Sequence, residues 1–136
     1  MEKLIWISNI IIIGLILVFP IILLRILNKL RIRRKLIYYS LIGILLLGLI
    51  IFISAWWNYK SDLMLLKHYG YNIDGMNKTE FYGDVLPENM QKVKNIEASV
   101  MGIGWSLKAM LGIIMITPYL GIIYILNRFT ERFRKN

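Results

Sequence analysis

Residues 36–57 read LIYYSLIGILLLGLIIFISAWW, a run without a single charge, interrupted only by Ser40, Gly43, Gly48 and Ser54. As a helix rising about 1.5 Å per residue, such a run reaches roughly 33 Å, which matches a bilayer hydrocarbon core of about 30 Å. Two similar runs flank it. Leu4 to Leu24 is also uncharged and is broken only by Ser8, Asn9, Gly14 and Pro20. A signal peptide would have a shorter apolar core followed by a small-residue cleavage site; here Arg25 and a basic stretch follow, so the run reads as a retained helix. The third run, Val100 to Leu126, contains Lys108 and Pro118, yet Ala109 to Leu126 carries no charge. The proline is tolerable because neighbouring groups in a membrane helix re-satisfy the freed carbonyl. The fold class this predicts is an all-α integral membrane protein. It has three spans, at about 4–24, 36–57 and 100–126, and a small, mostly helical segment between the second and third.

Composition agrees. The 136 residues are 57% hydrophobic and 18% charged, against about 45–50% and 25% in soluble domains, and that excludes a soluble globular domain. The chain has no cysteine, which excludes disulfides, thiol catalysis and thiolate metal sites. Its single histidine, His68, excludes a His-rich metal or relay site within one chain.

The net charge of +9 invites a guess at nucleic acid, but its distribution points elsewhere. The loop 25–35 holds Arg25, Lys29, Arg31, Arg33, Arg34 and Lys35 with no acid. The tail 127–136 holds Arg128, Arg132, Arg134 and Lys135 against Glu131. The segment 58–99 has one more acid than base, and Glu2 and Lys3 cancel. In a three-span chain the two basic segments share one side, and basic flanks stay in the cytoplasm. The predicted orientation therefore puts the N-terminus and residues 58–99 outside, and the loop and tail inside, in the plasma membrane. Aromatic residues agree without using charge: Trp6, Trp56, Trp57 and Trp105 fall at the outer interface and Tyr38, Tyr39 and Tyr124 near the inner one. The six loop cations are candidate topology and lipid contacts with an anionic inner leaflet, each worth about 1 kcal/mol near such a surface.

The outer segment is where polar variety is concentrated. Ser61 to Tyr69 reads as a short helix capped by Ser61 and stopped by Gly70. Asp74-Gly75 has turn chemistry, and Phe81 to Val85 reads as extended. Pro87-Glu88 suits a helix start, and Met90, Val93, Ile96 and Val100 recur at helical spacing, so one helix is expected from about Leu86 through the membrane. Some 42 residues without a staple are marginal as an independent fold, so the segment is expected to rest on the membrane, on its own helix ends or on a partner.

No catalytic, cofactor or metal site emerges. His68 with Asp62, Asp74, Glu80, Asp84 or Glu88 lacks diagnostic ligand spacing, and its proximity to Ser61 or Thr79 makes no nucleophile–base pair. Lys108, the one ionisable residue inside an apolar run, lies a turn from Trp105. Its stem can snorkel to the outer headgroups, or it can pair with Asp62 or Glu97. Ala98, Gly102 and Ser106 recur every fourth residue and mark a candidate helix-packing or self-association face, continued near Ala109 and Gly112; Gly43 and Gly48 mark the second span. Asn77-Lys78-Thr79 matches a glycosylation sequon.

These features favour a small non-enzymatic membrane protein. It would act through protein–protein contacts of its outer segment and helix faces, as an accessory, regulatory or immunity-type factor. Its expected partners are anionic lipids, a membrane or extracytoplasmic protein and a second copy of itself, with no nucleic acid and no cofactor. In span number, orientation and basic tail the chain also resembles three-span phage holins, which implies pore formation as the alternative. A membrane enzyme or carrier ranks third.

Overall fold

The computed structural model describes residues 1–30, 32 and 34–133. Arg31 and Arg33 of the basic loop, and Arg134 and Lys135 of the tail, lie outside the described residues. The elements in order are α1 (Glu2–Lys29), α2 (Lys35–His68), α3 (Lys78–Tyr82), a 3-10 turn (Pro87–Asn89), α4 (Met90–Met101) and α5 (Trp105–Phe133). Helices α1, α2 and α5 are the three that are long and apolar enough to cross a membrane. They form an antiparallel bundle with α2 at its centre, packed on both α1 and α5.

Two kinds of contact hold the bundle. Aliphatic side chains and Tyr39 fill its buried interior: Leu23, Leu24 and Leu27 from α1, Tyr39 and Leu47 from α2, and Ile116 and Leu120 from α5. Glycines let backbones approach: a Cβ at Gly43 would sit 3.2 Å from Leu120, and one at Gly112 only 2.7 Å from Ile51. Pro20 lacks the N–H that would bond the Ile16 carbonyl, and in the same turn the Tyr119 hydroxyl donates to the Leu17 carbonyl at 2.9 Å, joining α5 to α1. Outside this interior the helices stay bare. Only 22%, 22% and 17% of their most apolar windows are buried, and side chains such as Leu4, Trp6 and Met115 point away from the bundle at 73%, 67% and 74% exposure. In water so large an apolar surface would aggregate.

Three local expectations are corrected. Ser61 does not cap a separate helix, because α2 runs unbroken from Lys35 to His68. No glycine or proline separates Trp57 from Ser61; Ser61, Leu65 and Leu66 are buried, and Leu66 packs against Val93 of α4. At 34 residues α2 is roughly 51 Å long, about 20 Å more than the hydrocarbon core requires. It does stop at Gly70, whose φ of +82° is open to glycine, and a Cβ there would collide with the Asp84 carbonyl.

Phe81 and Tyr82 are not extended; they end α3. The Asn77 carbonyl starts this helix by accepting from Glu80 and Phe81 N–H, and the Glu80 carboxylate reaches back to the Met76 N–H at 2.8 Å. One turn of helix brings both aromatic rings against Tyr71, which an extended chain would not. Finally, the helix expected from Leu86 through the membrane is two. Gly102-Ile103-Gly104 separates α4 from α5, since two glycines in three residues carry a high helix cost. The third span therefore begins at Trp105 instead of Val100. Ala98, Gly102 and Ser106 do not share a helix: the first is in α4, the second is its C-cap and the third is in α5, and all three are exposed.

Candidate functional site: the cap and the cleft beneath it

Residues 69–101 fold back onto the protruding end of α2 and form a small cap. Its core is Leu66 of α2, Tyr71, Val85 and Val93, with Phe81, Tyr82, Met90 and Ile96 packed around it. The Tyr71 ring stacks on Phe81 at 5.7 Å and meets Tyr82 edge-on at 5.4 Å. Both hydroxyls converge on one carboxylate of α4: Tyr71 donates to Glu97 at 2.9 Å, and Tyr82 donates to its other oxygen. Burial and then the Glu97 hydrogen bond push Tyr71 up to about 12, and the same bond and then burial push Tyr82 up to about 12. A carboxylate holding two neutral phenols favours their protonated form.

The cap is also tied to the start of α1. Tyr69 donates to Glu2, which raises the tyrosine, and Lys92 of α4 lies 3.4 Å from the same carboxylate and above the Tyr69 ring. Nearby, Trp57 Nε1 donates to Ser8 Oγ at 3.0 Å, joining α2 to α1. The first residues of the chain and the cap thus share one end of the bundle.

Beneath the cap, at the α4–α5 break, lies a cleft of about 240 Å³ with Tyr59, Asp62, Ser99, Trp105 and Lys108 in its wall. Lys108 Nζ donates to the Ser99 carbonyl at 2.9 Å and lies 3.5 Å from its hydroxyl, which in turn donates to Asp62 at 2.9 Å. A cation of α5 and an anion of α2 are therefore bridged through one residue of α4. Lys108 reaches toward the cap without touching either acid named for it from the sequence. Glu97 is occupied by the tyrosines, and Asp62 is one residue removed through Ser99. Ser61 is 1% exposed, and its hydroxyl has no partner among the described residues.

The remaining sequence candidates are placed as follows. His68 is exposed and lies against Tyr69. Glu80 serves the start of α3, and no group of three metal-ligating side chains occurs among the described residues. At the far end, Arg25 and Lys29 are exposed on α1, Arg34 stands at the N-cap of α2, and Lys35 donates to Asn28 at 3.0 Å. The Tyr71–Tyr82–Glu97 cluster and the Ser99 bridge were not visible to sequence reasoning. Their bonded pairs lie 9 to 37 residues apart and follow no periodicity.

Comparison with protein-family models, curated proteins and solved structures finds no match to this chain. The class it defines by itself is an all-helical protein with three helices long and apolar enough to span a membrane, crowned at one end by a small cap.

Proposed function

We propose that this is a non-enzymatic component of the cytoplasmic membrane whose cap, held outside, recognises another protein. The observation that carries this reading is the surface of the cap. Met76 is 89% exposed, and Leu86, Met64 and Ile73 are also bare, on a head that the long α2 lifts clear of the hydrocarbon region. Methionine-rich apolar surfaces adapt to a partner, and patches of this kind mark interaction sites. The polar groups of the cap meanwhile serve its own structure: Glu97 holds two tyrosines, Asp62 holds Ser99, and Lys108 holds the end of α4. The orientation rests on charge, since the 25–35 loop and the C-terminal part of α5 meet at one end through the Asn28–Glu131 hydrogen bond of 2.6 Å. Basic flanks at that end favour the cytoplasm.

The test is photocrosslinking from Met76 and Leu86 in the full chain, in the membrane where it is normally made. A discrete crosslinked protein, lost when Met64 and Ile73 are changed to Ser, is the expected result. Crosslinks to lipid or to the chain itself alone would overturn the reading. A membrane-potential dye decides against the pore-forming alternative if induction leaves the potential unchanged, and rapid depolarisation would favour it.

A further inference from the structure

At the end opposite the cap, the last turn of α1, the first turn of α2 and the last turns of α5 enclose an open pocket of about 500 Å³. Three cations border it: Arg34 and Lys35 at the start of α2, and Arg128 of α5. The acid among its described lining residues, Glu131, is already engaged. It accepts from Asn28 Nδ2 at 2.6 Å and from Asn127 Nδ2 at 3.4 Å, and Lys35 closes the chain by donating to Asn28 Oδ1 at 3.0 Å. This amide–carboxylate network fixes the three elements relative to one another and leaves the pocket with two positive charges in excess. The first turn of α2 has no acidic residue and no side-chain cap, so its free N–H groups add to the positive potential. Beside the charged groups the lining is apolar, with Leu36, Ile37 and Tyr124, and Leu36 and Ile37 are 52% and 57% exposed.

We infer that this pocket binds a phosphate group, and that the phosphate is the headgroup of an anionic phospholipid. A guanidinium fork matches two phosphate oxygens, and a lysine beside it adds a point charge. Cations and exposed apolar side chains side by side, at the level where the helices end, match a headgroup with its acyl chains along α2. Free phosphate shares the cationic chemistry but has no use for the apolar side chains. Only Arg34 and Lys35 of the six loop cations named from the sequence border this pocket among the described residues; Arg128 and the Asn28–Glu131 network come from elsewhere in the chain. The inference does not depend on what the cap binds.

The experiment uses the full chain in neutral detergent. Its melting temperature is followed during titration with short-chain phosphatidylglycerol, short-chain phosphatidylcholine and inorganic phosphate. Phosphatidylglycerol should stabilise saturably and phosphatidylcholine should not. The Arg34→Gln/Arg128→Gln variant should weaken phosphatidylglycerol at least about tenfold, as two cations near an anionic headgroup imply. Arg25→Gln/Lys29→Gln removes the same net charge from the same end but from outside the pocket lining, and should weaken it clearly less. Circular dichroism of each variant checks that it is folded, and Lys35→Gln repeats the test from a different helix position. Equal stabilisation by both lipids, or equal weakening by both double variants, would overturn the site. Stabilisation by inorganic phosphate at the concentration that suffices for phosphatidylglycerol would keep the phosphate site and overturn the lipid as its source.

Discussion

Glu97 shows how one side chain can organise a small fold. It accepts hydrogen bonds from Tyr71 and Tyr82, and hydrogen bonds to a charged group are worth about 1.5–3 kcal/mol each. Glu97→Ala should therefore open the cap by at least about 2 kcal/mol, read as faster amide exchange at residues 71–93 with the spanning helices unaffected. The tyrosines set a pH dependence. Both titrate at about 12 when folded against about 10 unfolded. A folded pKa above the unfolded one means that their contribution is complete below about pH 10 and is lost as pH rises through about 12. Tyrosinate absorbance should show this late component, and Tyr71→Phe/Tyr82→Phe should remove the share that these two phenols contribute. Ser61 separates the two readings of its position. An N-cap serine changed to alanine costs about 0.5–2 kcal/mol, whereas a buried hydroxyl without a partner costs stability while it is present. Ser61→Ala should be neutral or stabilising by up to about 1 kcal/mol in thermal denaturation.

At the scale of elements, glycine positions decide how closely the helices approach. At Gly112 a Cβ would meet a branched carbon of Ile51 at 2.7 Å, at Gly43 the mobile ends of Leu120 at 3.2 Å, and at Gly14 nothing within 4 Å. Overpacking costs about 1–3 kcal/mol, partly offset by the helix propensity that alanine adds, about 1 kcal/mol. Alanine should thus destabilise in the order Gly112, Gly43, Gly14, with Gly14→Ala neutral or better in detergent melting. Ile51→Ala should relieve Gly112→Ala. The elements also show where local reading ended. The runs at 4–24 and 36–57 were legible because apolarity sums residue by residue over a span. Where α2 would stop was not, since its continuation to His68 depends on the cap that buries Leu66. The break at Gly102–Gly104 was masked by helical spacing that continues on both sides of it.

For the whole molecule, the absence of cysteine makes introduced pairs unambiguous reporters. With a short bifunctional thiol reagent, Asn28→Cys with Glu131→Cys should crosslink at one end of the bundle and Ser8→Cys with Trp57→Cys at the other, since the native side chains of each pair meet. Ser8→Cys with Glu131→Cys should not crosslink within a monomer; efficient reaction there would contradict the up-down-up arrangement, in which α1 and α5 run the same way. Orientation is a separate question. Periplasmic reporters fused after Leu30 and Asn136 should be silent and one after Gly75 active; activity at Leu30 would reverse the proposed sides.

The sequence by itself determined the three apolar helices and which polar segments share a side, because hydrophobicity and charge act through local sums that need no partner. Only the tertiary structure decided what those segments do with one another. It placed Lys108 on Ser99, two tyrosines on Glu97, and Arg34, Lys35 and Arg128 around one pocket. These pairings join residues up to about a hundred positions apart, and what selects them is the packing of α2 between its neighbours, a property that no window of sequence contains.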